Sequence, residues 1–307
     1  MILSCGEALI DMLPRTSTLG EPCFAPHAGG AVFNTAIALG RLGAPSAFFS
    51  GVSTDMLGEI LFDTLTASRV DTRYLARSDR PTTVAFVRLV NGQATYAFYD
   101  EGTAGRMLSP TDLPDLGPEV SALFLGGISL VNDPAAGTYE ALLVREAGRR
   151  VTMLDPNIRP GFIAGKEAAY RARIGRMIAL ADMVKLSDED LHWLEGPGDP
   201  GALARGILAR GPKAVFVTEG ARGARAVTAA QDRFVAATPV AVADTVGAGD
   251  TFNAGVLAAL HRAGALTRVR VAALTAEELD AALALGTRAA AVTVGRAGAN
   301  PPWAEEL

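Results

Sequence analysis

A glycine-rich stretch near the C-terminus, residues 244–255 (DTVGAGDTFNAG), combines residue types suited to holding and transferring a phosphate group. Gly247 and Gly249 flank one small residue, Asp250 follows at once, and an apolar helical pattern then begins. Glycine lets the backbone approach a ligand closely, and the free N–H groups at the start of a helix attract an anion. This stretch therefore predicts a local phosphate site.

The stretch fits neither of the two most common phosphate-binding loops. A Walker A loop requires Gly-Lys-Ser/Thr, but Gly249 is followed by an aspartate. A dinucleotide-binding loop requires a third glycine where this chain has Phe252, and it belongs to an early β-α unit. The sequence therefore disfavours both a Walker A nucleotide site and a nicotinamide-dependent oxidoreductase.

Asp250 points to catalysis as well as binding. A carboxylate among N–H groups aimed at a phosphate would repel that phosphate if binding were its only role. It has a clear use if it accepts the proton of a hydroxyl that attacks phosphorus, because phosphoryl transfer needs positioning, charge neutralisation and such a base. Its place in the first helical turn should also keep it ionised. The alternative is an ordinary acid at a helix N-terminus.

A second glycine pair, Gly29-Gly30, opens another predicted helix and is followed one turn later by Asn34. Backbone N–H groups and an uncharged amide suit a neutral polyol, which has many hydroxyls and no net charge. Asp11, at the end of the first predicted strand, adds a carboxylate that can accept two hydroxyl hydrogen bonds. Three alternatives stay open: a tight entry turn, an internally bonded helix asparagine and a surface turn acid.

The composition indicates a folded protein with no general attraction for polyanions. The chain has 307 residues, a net charge of -5, 49% hydrophobic residues and 20% charged residues. Nucleic-acid and membrane partners are therefore not expected. Two cysteines and three scattered histidines argue against a disulfide framework or a Cys-rich metal site. No signal peptide or membrane span is recognisable, so a cytoplasmic location is expected.

Short apolar runs alternate with amphipathic segments along most of the chain, which is typical of β-α units around a mainly parallel sheet. The apolar runs predict strands buried on both faces, at residues 2–10, 46–52, 122–125, 151–155, 183–186 and 214–218. Helices are predicted at residues 31–42, 58–68, 134–147, 166–179, 202–209, 248–263 and 276–292. Ligands bind beyond the carboxyl ends of parallel strands, where this chain has the polar residues Asp11, Asp155, Ser187 and Thr218.

Two stretches break this alternation and predict a small separate sheet. Residues 82–100 alternate apolar and polar side chains on both sides of Asn91-Gly92, a strong hairpin signal. Together with residues 12–24 they predict a β lid that covers a ligand and excludes water. An ordinary surface hairpin is the alternative. The expected division is a large domain of residues 1–11, 27–81 and 103–307, and a lid of residues 12–26 and 82–102.

Both glycine motifs resemble the two signatures of the PfkB, or ribokinase-like, carbohydrate kinases. They occur in order at the expected ends of the chain, and the resemblance covers essentially all 307 residues. It implies an α/β fold: a ribokinase-like three-layer α/β/α core with a mainly parallel central sheet, plus a small β-sheet lid. The implied activity is transfer of the γ-phosphate of ATP to a sugar hydroxymethyl group, with Mg²⁺ and, in some relatives, K⁺. A homodimer formed through the lid is also implied.

The resemblance implies a role for each matching residue. Asp250 would be the base, and the amides of Gly247, Ala248 and Gly249 would form the anion hole. The sugar would be held by Asp11, Gly29, Gly30, Asn34, Phe98, Arg106 and Arg159. The nucleotide would be held by Lys185, Ser187, Thr218, Gly220 and Gly223. A monovalent cation would lie at Asp244 and Val246.

Three segments are similar to bacterial fructokinases, namely residues 6–11, 98–108 and 155–160. Fructose, converted to fructose 6-phosphate, is therefore the expected substrate. The main alternative is 2-keto-3-deoxygluconate, because kinases for that sugar acid share Arg159 and use an arginine to pair with the substrate carboxylate. A guanidinium suits carboxylate and phosphate alike, so Arg159 does not decide between them.

The predicted lid bears on the same choice. It places Phe98 and a neighbouring tyrosine near the sugar, with Asp100 and Glu101 close behind, which disfavours an anionic substrate. Arg106 argues the other way. Another sugar or nucleoside kinase activity of the family is a further alternative. A non-catalytic sugar or nucleotide sensor is the alternative from another class, although a sensor would not need Asp250.

One segment departs from the family pattern. The family usually carries Asn-x-x-Glu, which organises magnesium and phosphate through water, whereas residues 185–190 (KLSDED) put Ser187 and Asp190 in those places. Asp190 keeps the charge, and Glu189 is the alternative if the register shifts by one. Lys185 is expected to point at the nucleotide phosphate or else to be an exposed lysine at a strand end.

Overall fold

The computed structural model describes residues 1–90 and 93–307. The strands are β1 (Ile2–Cys5), β2 (Leu9–Thr16), β3 (Pro22–Gly29), β4 (Ser46–Phe49), β5 (Gly51–Ser53), β6 (Val70–Asp71), β7 (Ala76–Ser78), β8 (Val84–Val90), β9 (Gln93–Tyr99), β10 (Ala122–Gly126), β11 (Val151–Asp155), β12 (Met183–Ser187), β13 (Ala214–Thr218), β14 (Gly223–Thr228) and β15 (Asp232–Ala236). The helices are α1 (Ala31–Arg41), α2 (Met56–Ala67), α3 (Ala135–Glu146), α4 (Pro160–Ile163), α5 (Glu167–Leu180), α6 (Asp188–Glu195), α7 (Pro200–Leu208), α8 (Ala248–Arg262), α9 (Arg268–Val271) and α10 (Ala276–Val294).

The main sheet has nine strands in the order β15-β14-β13-β12-β11-β10-β1-β4-β6. The strands from β13 to β6 in this order pair in parallel. Strands β14 and β15 extend one edge in antiparallel pairing. The parallel strands all end at one edge, so their carboxyl ends border a common crevice.

Successive residues of the central strands pack on opposite faces of this sheet. In β1, Ile2 belongs to one buried cluster with residues of α1, α2, α8 and α10, whereas Leu3 belongs to a second cluster with residues of α3, α5, α6 and α7. Strands buried on both faces and covered by helices form three layers. The predicted three-layer α/β/α core is confirmed.

A second sheet of four strands, in the order β3-β2-β8-β9, forms the lid. Strands β8 and β9 pair antiparallel, with Val90 opposite Gln93, as the hairpin pattern predicts. Asn91 and Gly92, the predicted turn, lie outside the described residues. Strand β2 joins the two halves, because it pairs antiparallel with β3 and parallel with β8.

The first predicted strand, residues 2–10, is wrong as a single element. The chain leaves the main sheet after Cys5, and β2 begins in the lid at Leu9. The reason is Glu7, whose side chain turns inward to accept a hydrogen bond from the N–H of Ala31 at the start of α1. Asp11 therefore lies within a lid strand rather than at the end of a core strand.

Two further differences concern the main sheet. The predicted strand 46–52 is divided into β4 and β5, and β5 pairs with the short strand β7. The antiparallel pair β14 and β15 has no counterpart among the predicted strands.

All seven predicted helices are present, with ends that differ by at most two residues. Among the described residues, no helix combines the length and apolar character that a membrane crossing requires.

Candidate active site

The start of α8, predicted to be a phosphate site, lies at the carboxyl edge of the parallel strands. Gly247 has φ +79°, in the left-handed region, and a Cβ there would lie 2.8 Å from Cβ of Ala299, so this turn requires glycine. Within the described chain, the N–H groups of Gly247 and Gly249 have no hydrogen-bond acceptor, whereas Ala248 N–H donates weakly to Thr245 O at 3.3 Å. The free N–H groups leave an anion hole at the helix start.

Asp250 is only 7% exposed and contacts the second glycine motif. Asn34 Nδ2 donates to Asp250 Oδ2 at 2.9 Å, and the Thr35 hydroxyl donates to the Asp250 carbonyl at 3.2 Å. Burial raises the pKa of Asp250 to about 7, although the Asn34 hydrogen bond opposes the rise. Burial thus opposes the expectation that the helix start keeps this group ionised. A carboxyl with a pKa near 7 suits a general base.

A buried cluster of Asp155, Lys185 and Asn253 lies behind the anion hole. Lys185 Nζ donates to Asp155 Oδ2 at 3.1 Å, and Asn253 Nδ2 donates to the same oxygen at 2.6 Å. Lys185 is 4% exposed, so the alternative of an exposed strand-end lysine is wrong. A Cβ on Gly249 would lie 3.1 Å from Lys185 Nζ, which puts the ammonium beside the anion hole. Burial opposes the charge of Lys185, but Asp155 and Asp190 outweigh it and raise its pKa.

Ser187 and Asp190 form a reciprocal cap at the start of α6. Asp190 N–H donates to Ser187 Oγ at 3.0 Å, and Ser187 N–H donates to Asp190 Oδ2 at 3.3 Å. The other carboxylate oxygen of Asp190 accepts from Ile158 N–H at 2.9 Å. Burial, followed by the charge of Asp155, raises the pKa of Asp190. Both oxygens already accept backbone hydrogen bonds, so Asp190 suits contact with a metal through water better than direct ligation.

The residues predicted to hold the sugar join the lid to the start of α1. A Cβ on Gly29 would lie 2.5 Å from Asp11 Oδ2, so the carboxylate packs directly on this backbone. Burial raises the pKa of Asp11 to about 6. Glu7 fixes the adjoining turns, because its two carboxylate oxygens accept from Ala31 N–H at 2.9 Å and Ser129 N–H at 3.2 Å.

A cavity separates the end of the lid from α3 and α4. Phe98 lines it and packs edge-on against Phe162 with ring centroids 4.9 Å apart. Arg106 also lines it, but its guanidinium pairs with Asp100 at 3.0 Å. Arg159 does not line this cavity; it is exposed and donates to Ile158 O at 3.1 Å.

The turn after β13 carries the remaining predicted nucleotide residues. Thr218 pairs with Ser187 across the sheet, so the ends of β12 and β13 lie side by side. Gly220 and Gly223 frame a short 3-10 turn beyond Thr218. Asp244 lies in another loop, where its two oxygens accept from Val246 N–H at 3.0 Å and Gly298 N–H at 2.9 Å.

The pfkB family of carbohydrate kinases matches this sequence over residues 1–306. The chain belongs to the PfkB family. The resemblance seen in the two glycine motifs is thus confirmed over nearly the whole chain, and the protein is a carbohydrate kinase. The non-catalytic alternative loses its support, because this PfkB chain keeps Asp250 and both anion-hole glycines.

Individual relatives are consistent with this assignment. A fructokinase of Rhizobium leguminosarum bv. trifolii is 60% identical over 279 residues, 91% of this chain and 85% of that protein. A crystal structure of fructokinase from Xylella fastidiosa with bound ATP has a TM-score of 0.86 at 28% identity and covers 97% of this chain and 93% of that one. A double-mutant fructokinase from Vibrio cholerae, bound to fructose, ADP and potassium ion, has a TM-score of 0.83 at 26% identity, over 97% of this chain and 93% of that one.

The PfkB site contains residues to which the sequence analysis gave no role. Glu7, Asp155 and Asn253 are the clearest cases. Asp155 ends a predicted strand, and Asn253 lies three residues after Asp250 on the same helical face, so both carried a detectable signal. Glu7 carried no such signal beyond its place in residues 6–11, because its partners, Ala31 and Ser129, lie far from it in the sequence.

Proposed function

We propose that this protein is an ATP-dependent fructokinase that phosphorylates the hydroxymethyl group of fructose and yields fructose 6-phosphate. The observation that carries the proposal is the hydrogen bond from Asn34 Nδ2 to Asp250 Oδ2 at 2.9 Å. It places the amide proposed to bind the sugar next to the proposed base. The 60% identity to a Rhizobium fructokinase supports the choice of sugar.

In the proposed reaction the fructose hydroxyl oxygen attacks the γ-phosphorus of ATP. The bond from the γ-phosphorus to the bridging oxygen breaks, ADP leaves, and the hydroxyl proton passes to Asp250. The free N–H groups of Gly247 and Gly249 hold the transferring phosphate, and the Lys185 ammonium lies beside them. Closure of the lid removes water, which would otherwise compete as acceptor.

The remaining site residues divide between sugar and nucleotide. On the sugar side Asp11 packs on Gly29, Gly30 adjoins Glu7, Asn34 bonds the base, and Phe98 lines the cavity under the lid together with Glu7. On the nucleotide side the turn with Thr218, Gly220 and Gly223 lies at the sheet edge next to Ser187. Arg106 and Arg159 are proposed to support the site without binding an anionic group of the sugar, since Arg106 is paired and Arg159 is exposed.

The acidic residues present suit a magnesium ion held mainly by the nucleotide. Within the described residues, no cluster of three or more His, Cys, Asp or Glu side chains forms a metal site. Mg²⁺ usually keeps several waters and binds substrate phosphates with one or two carboxylates, a role open to Asp190 through water. When bound, the ion would neutralise charge on the phosphates. The loop of Asp244 and Val246 is the proposed place for K⁺, an ion present in the Vibrio cholerae structure.

A coupled ADP-release assay with ATP and Mg²⁺ tests the function. Fructose, 2-keto-3-deoxygluconate, ribose and adenosine are offered in parallel, and turnover is expected on fructose in clear excess over the others. Preferred turnover on the keto-deoxy acid would make that sugar acid the substrate. A cationic residue of the site would then have to bind its carboxylate. Preferred turnover on ribose or adenosine would place the protein in another branch of the family.

The pH dependence of kcat/KM for fructose should report Asp250. Only the ionised carboxylate accepts a proton, and its pKa is raised to about 7, so kcat/KM should fall about tenfold per pH unit below 7. The fall should steepen below pH 6, where Asp11 also becomes protonated. Steady-state rates from pH 5 to pH 8.5 test this. An Asp11→Asn variant should lose the steeper part, and a profile flat down to pH 5 would contradict the role of Asp250.

The outer face of the lid supports the proposed homodimer. Phe24, Phe86 and Tyr99 form a row with ring-centroid distances of 5.1 and 5.8 Å, and Phe24 and Tyr99 are 50% and 61% exposed. Phe98 lines the sugar cavity, and alternate residues of a strand point to opposite faces, so this row faces away from the site. Exposed aromatic side chains of this kind are enriched at protein interfaces.

A Phe24→Glu substitution should convert the dimer to a monomer, because it buries a charge in the paired faces. Size-exclusion chromatography with light scattering gives the molar mass. Val269→Glu is the matched control, since Val269 is 82% exposed on α9, outside the lid, and this variant should remain dimeric. A monomeric wild-type protein, or a dimer that survives Phe24→Glu, would refute the lid interface.

A further inference from the structure

Arg106 is held by groups of the protein on two sides. Its Nη1 donates to Asp100 Oδ2 at 3.0 Å, and its Nε donates to the Asp133 carbonyl at 2.8 Å. Asn132 Nδ2 approaches the same Asp100 oxygen at 3.5 Å. The pair is mostly buried, with side chains 25% and 20% exposed, so solvent screens it less than a surface pair.

This ion pair belongs to the wall of the cavity under the lid. Three charged residues line that cavity: Glu7, Asp100 and Arg106. Glu7 is committed to two backbone N–H groups and has no cationic partner among the described residues. When all three are ionised, their charges sum to one negative unit, and Arg106, the only cation among the described lining residues, faces a carboxylate of the same protein.

We propose that Asp100 determines substrate charge by occupying the guanidinium of Arg106, which would otherwise receive the carboxylate of a sugar acid. The proposal rests on the proposed fructokinase function and names the device that makes the site choose a neutral sugar. Asp100 occupies the position of a substrate carboxylate on Arg106. Among the described residues that line the cavity, a sugar acid would meet Asp100 and Glu7 but no unpaired cation, and the nearby Lys166 ammonium is bound to Asn132. Juxtaposed like charges are strongly unfavourable.

The position of Asp100 in the chain adds a second element. Asp100 directly follows β9 of the lid, whereas Asp133 and Arg106 belong to the segments beside α3. The Thr103 hydroxyl also donates to the Asp100 carbonyl at 2.8 Å and lies 2.7 Å from the Thr83 hydroxyl, next to β8. Thr103 thus fixes the Asp100 backbone and Arg106 its carboxylate at the base of the lid, as a specificity determinant requires.

The test is the ratio of kcat/KM for 2-keto-3-deoxygluconate to kcat/KM for fructose in an Asp100→Asn variant. The substitution removes the negative charge with little change in shape, so the positive charge of Arg106 is no longer compensated and can pair with a substrate carboxylate. The ratio should rise about tenfold or more, mainly through a lower KM for the sugar acid. In the double variant Asp100→Asn/Arg106→Gln the gain should disappear, because the receiving cation is absent.

Glu101→Gln is the matched control, since it removes the same charge from the neighbouring exposed residue and should leave the ratio unchanged. A thermal melt of each variant separates a specificity change from unfolding, and Asp100→Ser replaces Asp100→Asn if the latter does not fold. An unchanged ratio in a folded Asp100 variant would overturn the proposal, as would an equal rise in Glu101→Gln. A wild-type enzyme inactive on fructose would instead refute the proposed function, independently of these ratios.

Discussion

An Asp250→Asn variant is expected to lose about 10²- to 10⁴-fold in kcat for fructose phosphorylation, the range typical of a general base. The amide keeps the shape of the side chain and its contact with Asn34, but it cannot accept the hydroxyl proton. Nucleotide binding should change little, since the N–H groups of Gly247 and Gly249 stay in place. Initial rates give kcat, and calorimetric titration with ADP gives the affinity.

The stability of this variant provides an independent readout. The folded-state pKa of Asp250 is raised to about 7, above the ordinary value of 3.8, so the folded protein holds a proton that the unfolded chain releases. The stability associated with this carboxyl is therefore present at low pH and is lost as the pH rises from about 4 through 7. Asparagine does not ionise, so the Asp250→Asn variant does not lose this stability at high pH. Its melting temperature should therefore exceed that of wild type at pH 8.

The control for this prediction is Asp63→Asn, the same change on the exposed face of α2, which should leave kcat and ADP affinity at wild-type values. An Asp250→Asn variant that loses ADP affinity as strongly as kcat would contradict the assignment of Asp250 as the base. A variant that retains more than a tenth of wild-type turnover would do the same.

The elements that carry Asp250 and Asn34 could be predicted because their signals are local. A glycine pair before an apolar helical pattern marks the start of a helix, and alternation around Asn91-Gly92 marks a hairpin. The same local rule failed at residues 2–10. An apolar run does not show that the chain leaves the strand at Glu7, whose side chain accepts a hydrogen bond from the start of α1. The antiparallel edge strands β14 and β15 likewise depend on pairing that a sequence pattern does not contain.

The electrostatics of the site could not be predicted from local sequence. The pKa of Asp250 depends on burial by several elements and on Asn34, Asp155 and Lys185, which come from three other parts of the chain. The neutralisation of Arg106 is a similar case. Arg106 and Asp100 are only six residues apart, but the sequence presents them as opposing evidence on substrate charge, and only their contact shows that they cancel.

Replacing Lys185 by methionine should have the second large effect, on both stability and turnover. Lys185 and Asp155 are 4% and 2% exposed, and removal of one partner leaves a buried carboxylate without its cation. Such a loss destabilises a protein by about 3–5 kcal/mol. Turnover should also fall about 10²- to 10³-fold, comparable with the loss of one donor from an oxyanion hole, because the ammonium lies beside Gly249, where the proposed reaction places the transferring phosphate.

A second substitution separates these two effects. In Asp155→Asn/Lys185→Met the carboxylate that pairs directly with Lys185 is removed as well, so denaturant melts should recover most of the lost free energy of unfolding. Turnover should stay low, since no cation has returned to the anion hole. Lys213→Met, an exposed lysine just before β13, is the matched control and should behave as wild type. If the double variant regained full turnover, Lys185 would be only the structural partner of Asp155, and the phosphate charge would have to be neutralised by the backbone and Mg²⁺ alone.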